Sequence, residues 1–223
     1  MKYVNLTNKD KSEVLLIGGI KGLISDGDEL KDKLYEFIPQ IMLIGISPGE
    51  VEGLTKFIKD PFELDLNDYE IIYGTLLSRF GEVMVPPPIY IEAIRYSVSR
   101  EIPAKGVDAD EDDFGSKYSE TFTTGNMVSY IMRKKRIMKK SFNEDNPEDF
   151  VLSWKNEMDK NKGNKKMDDF RIETILENIA KEVNDIKDSR IAIIIEYEFY
   201  AQTLQKLTEL GFVSNLSSAP KLF

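Results

Sequence analysis

Two runs, Glu13-Val14-Leu15-Leu16-Ile17-Gly18-Gly19 and Ile41-Met42-Leu43-Ile44-Gly45-Ile46, read as strands and frame a segment whose apolar residues recur at helical spacing. Leu30, Leu34, Phe37 and Ile38 share one face of that segment, and Pro39 ends it. Strand, helix and strand over this length predict a right-handed βαβ unit with parallel strands, the helix capped by Ser25 or Asp26. A second helix, carrying Val51, Leu54, Phe57 and Ile58, follows Ser47-Pro48-Gly49-Glu50. A third starts at Asn67 or Asp68 and runs to Phe80, with Gly81 as its stop. Pro86-Pro87-Pro88 fits neither helix interior nor central strand and predicts a rigid connector. Helical spacing resumes over 89–100 and leads to a short strand at 104–107.

The second half of the chain is mostly helical in pattern. Residues 126–142 are periodic and basic, with Val128, Ile131 and Met132 set among Arg133, Lys134, Lys135 and Arg136. Asn146-Pro147 starts the next helix, which carries Phe150, Val151 and Trp154. Trp154 reads as a packing residue, and the polar stretch 160–166 as a mobile loop. From Asp168 onward Ile172, Ile175, Ile179 and Val183 form one apolar stripe. Residues 191–195 read as a fully buried strand, 201–210 as a helix stopped by Gly211, and Phe212-Val213 as a terminal strand. The expected fold is therefore one α/β domain over 1–223. It has a mainly parallel central sheet flanked by helices and a helical excursion in its second half, with about 120–165 as a candidate helical subdomain.

Composition narrows the chemistry more than it narrows the fold. The 223 residues include no His and no Cys. That removes the usual general base near neutral pH, the commonest metal ligand, thiolate nucleophiles and disulfides. Catalysis would fall to Asp, Glu, Lys, Tyr or Ser, and any metal site would be oxygen-rich, suiting Mg²⁺ or Mn²⁺. The formal charge of −9 argues against a nucleic-acid partner. The longest aliphatic run is far below the roughly 20 residues of a membrane span, and the N-terminal residues lack a secretory core. A cytoplasmic location is the expectation.

The candidate chemistry collects at predicted strand ends. Residues 103–118 read as a short strand ending in Asp108, Asp110, Glu111, Asp112 and Asp113, the edge where open α/β sheets place ligands. The run fails as an EF-hand, because Asp113 stands at the sixth position and Ser119 at the twelfth. Glu196 and Glu198 follow the last buried strand, and Glu50 and Lys21 follow the two earlier ones. These residues converge on one rim if the strands are parallel. Each acid also has a structural reading, as a solvated loop or the first turn of a helix. Lys21, flanked by glycines, lacks the spacing of a Walker loop.

With this layout the chain resembles the TraB/PrgY family, which is related to the Tiki metalloproteases and the erythromycin-esterase-like proteins. The family's first strand ends in a glycine-histidine motif, and here it ends Ile17-Gly18-Gly19-Ile20-Lys21, with Lys21 near the histidine position. Its second-strand glutamate is absent unless Glu50 substitutes, and its proline-glycine-glutamate helix signature becomes Pro86-Pro87-Pro88-Ile89. Its Asp-Arg-Asp motif becomes Asp108-Ala109-Asp110. Arg171 falls where the family has an acid-arginine pair before a long helix. Its last strand ends in histidine, where Glu196-Tyr197-Glu198-Phe199 stands here.

The resemblance implies a catalytically degenerate TraB-like protein that acts by binding a small ligand or a protein, more a pseudoenzyme than an enzyme. The alternative is a carboxylate-based hydrolase dependent on Mg²⁺ or Mn²⁺, with Asp108 and Asp110 as metal ligands. A second alternative is contact with an anionic surface through the basic helix 127–140. The candidate site comprises Asp108, Asp110, Glu50, Glu196, Glu198, Lys21 and Arg171. Ligand identity is left open, as is assembly into a homo-oligomer.

Overall fold

A computed structural model describes residues 1–214. The chain is an α/β protein with a six-stranded, mostly parallel sheet flanked by helices. Strands β1 (Lys2–Thr7), β2 (Glu13–Gly19), β3 (Ile41–Ile44), β4 (Ala104–Gly106), β5 (Arg190–Glu196) and β6 (Val213–Ser214) take the spatial order β4-β3-β5-β2-β1-β6. The pairs β4/β3, β3/β5 and β5/β2 are parallel, while β1 pairs antiparallel with both β2 and β6. The predicted parallel pair of β2 and β3 is parallel but not adjacent, because β5 lies between them. Strand β1 carries no strong hydrophobic signal in the sequence: its burial alternates weakly, and only Leu6 is fully buried.

Helices cover both faces of the sheet. On one face Leu15, Ile17, Met42, Ile44, Ala192 and Ile194 meet α1 (Ile24–Phe37) and α4 (Pro88–Arg100), with α2 (Pro48–Lys59) against the margin. On the other, Val14, Leu16, Leu43, Ile191, Ile193 and Ile195 meet α8 (Lys162–Asp185) and α9 (Tyr200–Glu209). The strict alternation along β2 and β5 follows from strand geometry, since both faces are covered. A third apolar cluster lies beyond the strand ends. There Leu77 of α3 (Asp68–Leu77) and Phe150 and Val151 of α7 (Pro147–Met158) pack with Ile20, Leu23 and Phe142. The remaining helices, α5 (Glu111–Thr121) and α6 (Thr124–Ile137), complete the helical second half.

Two local expectations are corrected. Neither Ser25 nor Asp26 caps α1: Leu23 is the cap residue and makes no side-chain cap bond. Asp26 is buried and accepts the Ile20 N–H at 2.8 Å. The polar stretch 160–166 is not a loop, because Asn161 accepts from the N–H groups of Gly163 and Asn164 and starts α8 at Lys162. The cap bonds and the register of the following stripe outweigh the polarity of those residues. The basic helix is also less free than its charge suggests. Arg133 and Lys140 pair with Glu157, and Lys134 with Asp68, while Val128, Ile131 and Met132 are exposed. No helix among the described residues is long and apolar enough to cross a membrane.

Gly106 sets the spacing at the edge of the sheet. A Cβ there would sit 2.5 Å from the Ser47 carbonyl carbon and 2.6 Å from the Pro48 nitrogen, so β4 and the turn into α2 can approach only because this residue has no side chain. Gly106→Ala is expected to lower unfolding stability by about 1–3 kcal/mol, measured by urea denaturation, because backbone must move to relieve the overlap.

Candidate functional site

The parallel strands end together, and their C-terminal edges open into a cleft of about 870 Å³. Lys21 follows β2, Ile46 and Ser47 follow β3, Asp108 follows β4, and Glu196 closes β5. Main-chain bonds extend the pairing of β4 with β3 past the formal strands. Val107 N–H donates to Ile44 O at 2.9 Å and Asp108 N–H to Ile46 O at 3.1 Å. That register delivers the Asp108 side chain to the cleft floor.

Arg171, on α8, crosses that floor. Its Nε donates to Asp108 Oδ2 at 2.7 Å, and one terminal nitrogen reaches Glu196 Oε1 at 3.1 Å. Lys21 Nζ stands 3.0 Å from the same Glu196 oxygen. The guanidinium also lies over the Phe199 ring, 5.5 Å from its centroid. Burial pushes the Glu196 carboxyl upward, but Arg171 and Lys21 outweigh that effect and hold it down to about 2. Asp108 is raised, because burial outweighs the same Arg171 charge.

Glu198 follows in a short 3₁₀ turn over Tyr197–Phe199 and is treated differently by its surroundings. Burial and the neighbouring Glu196 charge raise its carboxyl to about 8, with Lys21 opposing only in part. It is therefore protonated at neutral pH, beside an ionised partner two residues away. The site thus combines a paired carboxylate with a neutral carboxyl acid.

The seven sequence candidates, Lys21, Glu50, Asp108, Asp110, Arg171, Glu196 and Glu198, all line the one cleft. They do not all have the same freedom. Glu50 belongs to the capping box of α2: its Oε2 accepts the Ser47 N–H at 2.8 Å, and Ser47 Oγ accepts the Glu50 N–H at 3.1 Å. Asp110 caps α5 by accepting the Asp113 N–H at 2.8 Å. Lys21 is held by a carboxylate rather than poised in a phosphate-binding turn.

The residues do not fit Mg²⁺ or Mn²⁺. One Asp108 oxygen accepts from Arg171 and the other from the Ala109 N–H, and Asp110 is engaged in its cap. A guanidinium stands where a cation between the strand-end acids would stand. Among the described residues no three carboxylates are placed to hold one metal ion.

Sequence reasoning missed part of the site. Lys155 of α7 pairs with Asp168 of α8 at 2.7 Å, and both line the cleft. Tyr90 of α4 sits at the floor, only 3% exposed, and its hydroxyl has no hydrogen-bond partner among the described residues. Trp154 packs on Tyr73 and Phe150 as expected, yet it also faces the cleft. The one available signal for Tyr90 is its place just after the proline triplet, where the helix start aims its first turn at the strand ends. Lys155 and Asp168 sit in helices otherwise rich in charge and offered none.

No protein-family model matches the chain, and comparison of its sequence with curated proteins finds no match. The geometry of the cleft therefore carries the functional argument.

Two outcomes test the charge arrangement. Arg171→Met leaves Asp108 and Glu196 buried without their shared cation and is expected to cost about 3–5 kcal/mol by urea denaturation. Glu198 binds a proton in the folded chain that the unfolded chain releases between pH 4.5 and about 8. Its contribution to stability therefore falls as pH rises through that window. Glu198→Gln removes this loss, so melting curves should show the variant gaining on the wild type from pH 5 to 8 and holding its advantage above.

Proposed function

We propose that this protein binds a small ligand in the strand-end cleft, on a scaffold that resembles the TraB/PrgY family without its histidine-based chemistry. The observation that carries this reading is one cleft whose floor charges neutralise one another. Arg171 and Lys21 answer Asp108 and Glu196, and Lys155 answers Asp168. A self-paired floor leaves no ionised base or nucleophile free and no metal cage, but it leaves a concave, partly apolar surface of ligand size. Ligand binding accounts for that surface, while a metal-dependent hydrolase needs Asp108 released from its guanidinium.

Gly53 of α2 lines the cleft and faces open space, with no atom beyond its chain neighbours and its own helix backbone within 4 Å of where a Cβ would stand. Gly53→Phe should therefore obstruct the cleft while leaving the helix intact. A thermal-shift screen of chemically varied small molecules is expected to yield compounds that raise the melting temperature of the wild type. A compound at 100 times its Kd should raise it by about 5–10 °C, with the shift lost in Gly53→Phe. Hydrolysis of ester or peptide substrates that depends on Mg²⁺ or Mn²⁺ and disappears in Asp108→Asn would overturn the proposal.

A further inference from the structure

Three features of the cleft, taken together, select among ligand chemistries. The first is charge. Among the described lining residues there are eight acidic side chains, of which Glu198 is held neutral, and three cations. The cations, Lys21, Lys155 and Arg171, are all within ion pairs already. Asp108 and Glu196 are compensated by them, whereas Glu198 has no cation within ion-pair distance among the described residues. Beyond the floor, the cap acids Glu50, Glu70 and Asp110, with Glu111, add negative potential at the rim. Such a cleft attracts cations and repels carboxylates and phosphates.

The second feature is Tyr90. Its buried hydroxyl lies near the charges of Glu196, Arg171, Glu198 and Glu50, and yet it bonds to none of them. A buried hydroxyl without a partner carries an unmet cost that a ligand N–H placed there would remove.

The third is aromatic. Phe114, Tyr118 and Phe122 follow one another every four residues along one side of the cleft. Their rings are stacked, with centroids 6.4 Å and then 4.5 Å apart. Phe57 and Phe62 supply another edge-to-face pair at 5.3 Å. Phe62, Phe114 and Tyr118 are exposed, so apolar ring surface faces the open part of the cleft. Rings beside an acidic rim favour an organic cation over an inorganic one, since they gain from both the charge and the attached hydrocarbon. A bare metal ion also lacks the carboxylate cage it needs here.

We propose that the cleft binds an organic amine, with its ammonium group seated against Glu198 and Tyr90 Oη and its hydrocarbon chain laid along the Phe114, Tyr118 and Phe122 rings. This rests on the ligand-binding reading above and assigns that ligand's chemical class. Seating the ammonium favours the ionised form of Glu198. The groups facing Glu198 are Glu196 from β5, Lys21 after β2, Tyr73 from α3 and Tyr90 from α4, with Arg171 of α8 paired to Glu196 behind them. Lys21 and Arg171 are engaged by Glu196 and Asp108, so the incoming ammonium supplies the missing counter-charge. Binding at pH 7 therefore releases a proton, and affinity rises with pH until Glu198 is ionised in the free protein at about 8.

Trp154 is the sole tryptophan and lines the cleft, so its fluorescence reports occupancy. The probes are n-octylamine, n-octanol and n-octanoate, which share one chain and differ in head group, used as monomers with fluorescence titration and calorimetry. Octylamine is expected to bind roughly tenfold or more tighter than octanol, as a charge-assisted contact implies, and octanoate weakest of the three. Its affinity should rise from pH 6 to 8, with an enthalpy that depends on the ionisation heat of the buffer. Glu198→Gln should weaken octylamine and flatten the pH dependence, and Tyr90→Phe should weaken it without changing the pH profile. Octanol or octanoate binding as tightly as octylamine would overturn the amine assignment while leaving a ligand-binding cleft. Failure of all three probes overturns the assignment too, and the compound screen with Gly53→Phe then judges ligand binding by itself. Unchanged octylamine affinity in Glu198→Gln, with the variant folded by its melting curve, also defeats it.

Discussion

Two strand-end acids meet one arginine at the floor of this protein, and the remaining charges arrange themselves around that contact. Asp108 and Glu196 come from strands on either side of β3, and neither is paired by its own strand. Arg171 reaches both from a helix packed on one face of the sheet, and Lys21 reinforces it from the end of β2. Taking ions out of water is expensive unless each has a partner in good geometry. Once Arg171 and Lys21 are committed, no cation among the described residues is left to compensate Glu198. Burial and the fixed charge of Glu196 then drive its carboxyl to hold its proton near neutral pH. One guanidinium thus determines which carboxyl is ionised and which is not.

Sheet order makes that contact possible. The chain builds β2, β3 and β4 outward in one direction and then returns β5 to the gap between β2 and β3. The first two crossovers run over the α1 and α4 face, and the return runs through α8 on the other. Ligand crevices in open α/β sheets form where such a reversal occurs, outside the carboxyl ends of the strands. Here the return of β5 brings Glu196 between the residues that follow β2 and those that follow β3 and β4. The helices that start at those ends, α2 and α5, supply capping acids at the rim and rings along the walls. A polar floor under aromatic walls is the basis for reading the cleft as a ligand site.

Much of this could be read before folding, because local signals were strong where burial was complete. Strands 13–19, 41–44 and 190–196 are nearly continuous aliphatic runs, as strands covered on both faces must be. The caps Ser47, Asn67 and Asn146 stand at the helix starts their chemistry favours. Strand β1 escaped notice because it has one buried neighbour strand and one short edge partner, which leaves little apolar pattern. The start of α8 was obscured because six polar residues precede its first stripe position, and only the Asn161 cap marks it.

By itself the sequence determined the chemistry that was possible: no imidazole, no thiol, and acids and a lysine at the ends of parallel strands. Strand polarity sufficed to send Lys21, Asp108 and Glu196 to one edge, because every parallel strand ends on the same side of the sheet. What only the tertiary structure decided was how those groups were spent. Arg171 lies 63 residues from Asp108 and 25 from Glu196, and no local rule relates positions so far apart. Tyr90 without a hydrogen-bond partner among the described residues, Lys155 bound to Asp168 and the ring ladder facing the cleft depend likewise on helix packing across the sheet. Charge state and ligand preference are properties of distances and burial, and these exist only once the chain has folded.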